Sequence, residues 1–415
     1  MIHITYTEIE NIMIEITNNP TTLETARKRR GAFTRESPLT FEAMLGIELD
    51  MRKTTVQTRL NAFFKEGEKM PVSQQAYSAR RALFDHSPFE TMAREAVKKE
   101  YSGANEMELW KGYHILSVDG SYAQLPPVDA LRTEFGIRGG GNRPSAGMSV
   151  LYDVLNGWPI DPYIGHTNMN EREQCEKHVE FLCRELGHIA QKTILTIDRG
   201  YPSAEMFKYL SESGIKFVAR CKSVFLKAIN GAPVGDTVVT LNNGVTLRVI
   251  KFHLPNGDVV TLATNVFDLP ADDFPDLYLL RWGIETFYFR VKRELSLESF
   301  TGKTANSVRQ DFWASMFIAQ AVAIFQRDAD TLIHHDQDSK DNKLEYQART
   351  SDIIITMRDN FVFAALSGNP ILCQYKLSEI VRTMAKSKSA VRPGRSFPRN
   401  FAPFAKAKLN LKSRL

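Results

Sequence analysis

The chain has 415 residues, 43% of them hydrophobic and 24% charged, with 53 Lys and Arg against 48 Asp and Glu. That length allows two to four domains, and the composition excludes a disordered, collagen-like or coiled-coil protein. The longest apolar run, Trp313 to Phe325, is broken by Gln320 and is too short to cross a bilayer. Glu8, Glu10 and Glu15 lie in the first 20 residues without a basic n-region, so no signal peptide is expected and a cytoplasmic location is the default. The four cysteines, Cys175, Cys183, Cys221 and Cys373, have no CxxC spacing and read as reduced core thiols. No HExxH, G-x-S-x-G or complete P-loop is present; Gly302-Lys303-Thr304 ends like a P-loop, but Leu297 stands where the first glycine is needed.

The charge is unevenly spread. Nine of the 53 basic residues fall in 386–415, which holds no acid, leaving 44 bases against 48 acids in the remainder. A second basic cluster, Arg27-Lys28-Arg29-Arg30 with Arg35, lies near the N-terminus. Basic blocks flanking a near-neutral body fit a polyanionic partner, because Lys and Arg that neutralise phosphates release counterions. A solvated tail fits equally well on charge alone.

Residues 1–105 read as helical. Phe41, Leu45, Leu49, Val56, Leu60 and Phe63 recur near the helical period across Thr40–Phe64. A break at Pro71 precedes a second helix over about 73–84. The pair suggests a helix-turn-helix presenting Gln74, Gln75, Ser78 and Arg81 to a DNA groove. A helical cap on the core is the alternative.

From His114 the period changes. His114–Ser121, Met148–Val154 and Ile160–Ile164 read as strands, the last two joined at an Asn156-Gly157 turn. A helix over Glu171–Leu186, a strand over Thr193–Ile197, a helix over Ser203–Leu210 and a strand over Ile215–Ala219 come next. The order βββαβαβ predicts an α/β layer fold. Residues 222–265 alternate, contain three Asn-Gly turn signals and read as a β-rich insertion. Asp276–Leu295 and Ser307–Arg327 read as helices, Asp328–Ala348 as a polar loop, and 351–385 as helical again.

Asp119 and Asp198 each end a strand-like run, where ligands collect in open α/β sheets. Two carboxylates about 4 Å apart repel by roughly 4 kcal/mol at an effective dielectric near 20. A divalent cation removes that penalty, and Mg²⁺ prefers such carboxylates plus phosphate oxygens. Strand-terminal Asp is also a common turn residue. Tyr278, Arg281, Glu285 and Lys292 fall within an arc of roughly 60° on one predicted helix. That stripe offers a third carboxylate and groups that grip phosphate. An exposed face with an Arg281–Glu285 ion pair is the plainer account.

The spacing Tyr278-x2-Arg281-x3-Glu285-x6-Lys292 resembles the YREK signature of the bacterial insertion-sequence transposases of the IS-four family. Val118-Asp119-Gly120-Ser121 with Leu125-Pro126, the run Ser149–Asn156, and Asp198-Arg199-Gly200-Tyr201 are similar to segments of that family in the same order. The resemblance covers about residues 35–330 and includes a β-rich stretch between second Asp and Glu. It implies an RNase H-like mixed sheet with a β insertion at about 222–265, helical N- and C-terminal regions (1–105 and 331–415, the latter ending in the basic tail) and a catalytic domain over 106–330. It further implies a cut-and-paste DNA transposase, nucleoid-associated when bound to DNA. Asp119, Asp198 and Glu285 would ligate two Mg²⁺ ions (Mn²⁺ as substitute) for hydrolysis and strand transfer. Tyr278, Arg281 and Lys292 would contact DNA. The partners implied are double-stranded DNA, as transposon ends and target, and a second copy of the chain in a synaptic complex. A stand-alone nuclease or a non-catalytic DNA-binding repressor, such as a domesticated copy, are the alternatives.

Two points depart from the family. Relatives that form hairpins trap a flipped base on an aromatic in the insertion, but 222–265 holds only Phe225 and Phe252. Trp282, inside the signature, points about 100° from Arg281 and is expected in the core. His166 is expected to serve structure, and Asp153 and Asp161 are rival acids set below Asp119 and Asp198 because neither begins an Asp-Gly or Asp-Arg-Gly pattern.

Overall fold

The structure is a computed structural model that describes residues 6–50, 52, 54–102, 107–139, 141–338, 344–365 and 369–391. Its centre is an eight-stranded mixed sheet ordered β3-β2-β1-β4-β5-β8-β7-β6. The strands are β1 (His114–Gln124), β2 (Ser145–Asp153), β3 (Trp158–His166), β4 (Thr193–Ile197), β5 (Lys216–Arg220), β6 (Gly235–Thr240), β7 (Thr246–His253) and β8 (Val259–Thr264). β2 runs antiparallel to β1 and β3, whereas β4 runs parallel to β1 and β5. Order 3-2-1-4-5 with that mixture of directions is the RNase H-like arrangement, so the expected fold class holds. The insertion is part of the same sheet: β8 pairs antiparallel with β5 and carries β7 and β6 outward.

Strand alternation sorts the core into two faces. Leu116 and Val118 of β1 join Leu195 and Ile197 of β4 in the larger cluster. Ile115 and Ile194 point to the other face, with Val218, Leu262, Phe274 and Leu277. The parallel crossovers are the helices Glu171–Glu185 and Ala204–Glu212. Asn170 and Ser203 cap them, each side chain accepting a backbone N–H of the first turn.

The helical parts pack into the larger cluster, which runs from Tyr6 to Met384. Thr40–Phe64 is two helices, not one: Phe41–Leu49 ends at Asp50, and Thr55 caps a new start at Val56–Glu66. Gln57 then ties this helix to the next, Gln74–Arg81, through the Val72 carbonyl and the Gln74 N–H, at 2.9 and 2.8 Å. Gln74, Gln75 and Ser78 are exposed, as a reading helix requires, but Arg81 is buried. Its guanidinium bonds Gln310 at 2.7 Å, Asp311 at 3.1 Å and Glu48 at 3.0 Å. Arg81 therefore cannot face a groove; it fastens the N-terminal helices to the helix Ala305–Asp338.

That last helix also corrects the polar loop expected from Asp328. It continues to Asp338 because Asp328 accepts the Tyr6 N–H at 3.1 Å and Ala329 and Ile333 are buried. Helices Thr350–Ala365 and Pro370–Lys386 come after it. The basic tail beyond Val391 lies outside the described residues. Among those described, no helix is long and apolar enough to cross a membrane. All four cysteines are unpaired; Cys183 is exposed.

Candidate functional site

Asp119 lies in β1 and Asp198 directly follows β4, so both stand where the parallel pair ends. The segment carrying the Tyr-Arg-Glu-Lys spacing packs over them. It is not one helix. Phe274–Leu280 and Trp282–Phe289 meet at Arg281, and Arg290–Glu294 is a π-helical turn. A π turn widens the spiral and shifts the phase of the residues within and beyond it. Gly283 allows the close approach to the sheet: a Cβ there would stand 3.2 Å from the Val154 Cβ.

Three of the four positions converge on the aspartates. Arg281 donates to Glu285 Oε1 at 2.7 Å and lies 3.8 Å from Asp119 Oδ2. The Tyr278 hydroxyl donates to Asp198 Oδ1 at 3.2 Å. Lys292 is elsewhere on the rim: it donates to Ser121 Oγ and the Tyr122 carbonyl, both at 2.8 Å, and ties the π turn to β1. Tyr288, which sequence reasoning did not single out, donates to the Asp119 carbonyl at 2.8 Å.

The electrostatics follow from burial among like charges. Burial lifts the Asp119 carboxyl to about 6; Arg281 and the Gly120 N–H oppose the rise, and Asp198 and Glu285 add to it. Burial alone would lower Arg281, but Tyr278, Asp198, Asp119 and Glu285 together hold it above its ordinary value. Lys292 is pulled below its ordinary value by burial.

Oxygen donors of this kind suit a hard divalent cation. Arg281 already occupies the point where their charge concentrates. As the side chains stand, no three His, Cys, Asp or Glu residues among those described close on a single ion. Glu285 faces Arg281 instead.

The weaker candidates have structural partners. Asp153 accepts from Tyr101 at 2.9 Å and from the N–H groups of Leu155 and Asn156. Asp161 accepts from His178 at 2.7 Å and Arg94 at 3.2 Å. His166 accepts the Asn168 N–H at 3.1 Å. Phe225 packs edge-on against Phe207 at 6.1 Å, and Phe252 packs on the smaller core cluster. Trp282 reverses the expectation of burial: it is 48% exposed, beside Arg281.

Residues 110–320, about half the chain, match the family described as transposase DDE domain. The putative transposase y4zB of Sinorhizobium fredii is 28% identical over 198 residues, which cover 43% of this chain and 53% of that protein. A probable transposase for insertion sequence element IS5377 of Geobacillus stearothermophilus is 36% identical over 72 residues, 17% of this chain and 19% of that protein. The match thus spans about half of the first relative and less of the second. A piggyBac transposase in a synaptic complex with hairpin DNA is 13% identical, with a TM-score of 0.48 over 94% of this chain and 84% of that one. On the match across the sheet and the segment over it, this chain belongs to the transposase DDE domain family.

Proposed function

We propose that the protein is a DNA transposase of the IS-four type that moves an insertion sequence by cut-and-paste, with Asp119, Asp198 and Glu285 as the carboxylates that hold two Mg²⁺ ions. The observation that carries this reading is the single guanidinium of Arg281 shared by Glu285 and Asp119, with Asp198 held by Tyr278 next to it. When bound, the ions polarise the scissile phosphate and lower the barrier to in-line attack by an oxygen nucleophile.

The remaining chemistry belongs to the chain. Arg281 keeps mutually repelling carboxylates together before cations arrive. Once DNA is bound, its planar fork is free to grip a phosphate, as Arg does bidentately. Tyr278 and Lys292 supply further contacts along the strand. Asp119, lifted by burial, must lose its proton to serve as a ligand. Two transposon ends must be cut in concert, so the working form is a homodimer on two DNA ends. Residues 1–105 and the basic tail are the DNA-holding parts.

The test is excision and strand transfer with DNA taken from the flanks of the gene. With Mg²⁺, the wild type is expected to release the element and join its 3′ ends to target DNA. Asp119→Ala should keep DNA binding and lose cutting. Cleavage without joined products would make it a nuclease of the same fold. DNA binding with no Mg²⁺-dependent cleavage would make it a repressor.

A further inference from the structure

The ladder between β1 and β4 ends at Ser117, two residues before Asp119. β1 stays paired with β2, where Val150 lies opposite Asp119. Past Ser117, side chains from the segment that carries Glu285 also grip β1. The Tyr288 hydroxyl takes the Asp119 carbonyl at 2.8 Å. Lys292, four residues on, takes the Tyr122 carbonyl and Ser121 Oγ, both at 2.8 Å.

The first of these bonds falls on a peptide that also serves the carboxylate. The Asp119 carbonyl and the Gly120 N–H belong to one peptide unit, which is planar. Tyr288 holds its oxygen. The Asp119 side chain holds its nitrogen, because the Gly120 N–H donates to Asp119 Oδ1 at 2.9 Å. Two hydrogen bonds and one rigid plane therefore join the Tyr288 hydroxyl to the carboxylate. A bond accepted at the carbonyl polarises the N–H of the same unit and strengthens its donation. Turning the plane turns the N–H, and the oxygen that it holds turns with it.

The hydroxyl is itself firmly placed. Tyr288 is 7% exposed, its ring lies 5.6 Å from that of Phe287, and Phe287 packs 4.7 Å from Tyr152 of β2. Tyr288 and Glu285 stand three apart on the helix Trp282–Phe289, so they are neighbours on its surface. The bond that orients Asp119 thus also sets how far the helix of Glu285 lies from β1. Arg281 ties the carboxylates to each other by charge. Tyr288 ties the helix to the strand.

We propose that Tyr288 is a positioning residue: through the Asp119–Gly120 peptide it sets the direction of the Asp119 carboxylate and the distance of that strand from the helix of Glu285. The proposal rests on the reading of Asp119 and Glu285 as acting together on DNA. A misplacement of about 1 Å at such a site can cost on the order of 100-fold in rate.

The test compares Tyr288→Phe with Tyr209→Phe in the full chain. Each removes one hydroxyl and its bond to a carbonyl. Tyr209 bonds the Glu176 carbonyl at 3.0 Å, between helices that carry none of the three acids. The first reading is amide exchange of Gly120 in glycine-labelled protein, in EDTA and without DNA. It quickens several-fold in Tyr288→Phe and keeps the wild-type value in Tyr209→Phe. The second is single-turnover cleavage, with Mg²⁺, of DNA taken from the flanks of the gene, beside DNA affinity in EDTA. Tyr288→Phe cuts about tenfold more slowly or worse with unchanged affinity, and Tyr209→Phe cuts like the wild type. Wild-type cutting by Tyr288→Phe, a slowing that Tyr209→Phe shares, or Gly120 exchange that does not quicken overturns the positioning role and leaves the carboxylate reading standing. A wild type that does not cut with Mg²⁺ overturns both. Should Tyr288→Phe fail to fold, the wild type decides: a Gly120 amide that exchanges as freely as an exposed one overturns the proposal.

Discussion

Arg281 donates to Glu285 across 2.7 Å from a position only 7% exposed. The pair is a local i,i+4 contact, yet its guanidinium also faces Asp119 from a distant strand. Removing it leaves carboxylates unscreened at partial burial. Arg281→Ala is expected to cost on the order of 2–3 kcal/mol, somewhat less than a fully buried pair because Glu285 is partly solvated. Arg281→Lys keeps the charge but not the fork, and recovers part of this. Urea denaturation in EDTA measures both. Stability of Arg281→Ala equal to wild type would show that the guanidinium does not hold the acids together.

Asp119 gives the metal-free protein a predictable pH response. Its carboxyl is raised from 3.8 to about 6, mainly by burial. The folded state therefore binds this proton more tightly than the unfolded chain. Its contribution to stability is full below about pH 4, shrinks as pH rises through 6, and is gone above. Asp119→Asn removes the charge and should stabilise the protein at pH 8 in EDTA by on the order of 1–3 kcal/mol, at about 1.4 kcal/mol per pKa unit. At pH 4 the two should melt together. A variant that melts below the wild type at pH 8 would contradict the charge crowding.

Arg81 separates the two readings of the N-terminal helices. It is buried and bonds Gln310, Thr301, Asp311 and Glu48. Arg81→Ala strands Glu48 and Asp311, so a loss of about 3–5 kcal/mol is expected. Gln75→Ala, on the exposed side of the same helix, should change stability by less than about 0.5 kcal/mol. If this helix contacts DNA, Gln75→Ala lowers affinity in a filter-binding assay at fixed salt; unchanged affinity assigns the helix to packing alone.

Trp282, which follows Arg281 in the chain, is half exposed. On the transposase reading, its ring is available to stack on an unpaired base. Such stacking is worth about 1–3 kcal/mol per base, so Trp282→Ala should weaken binding of single-stranded or frayed ends about tenfold. Its effect on the melting temperature should be small, as at other surface sites. Equal affinity for blunt and frayed ends in both proteins would exclude the stacking role.

The local patterns were legible in the sequence. Short apolar runs mark β1, β4 and β5, and the Asn156-Gly157 turn marks the β2–β3 hairpin; Asp198 directly follows β4 as expected, whereas β1 runs on past Asp119 to Gln124. Apolar runs and turn chemistry are properties of neighbouring residues, so a single chain displays them. The Tyr-Arg-Glu-Lys spacing was equally visible. The direction each of those side chains takes was not, because a wheel drawn at a constant pitch cannot foresee the π turn at Arg290–Glu294 that sends Lys292 to Ser121.

Tertiary structure decided the rest, through partners remote in sequence. Polar residues after Asp328 stay helical because Tyr6 bonds Asp328 and Ala329 and Ile333 are buried in the larger core cluster. Arg81 is drawn inward by acids on two other helices, although its local pattern suits an exposed face. β6–β8 extend the central sheet because the edge of β5 offers unpaired backbone groups that β8 satisfies. Each outcome rests on burial and charge shared between distant segments, which the order of residues encodes but local periodicity does not display.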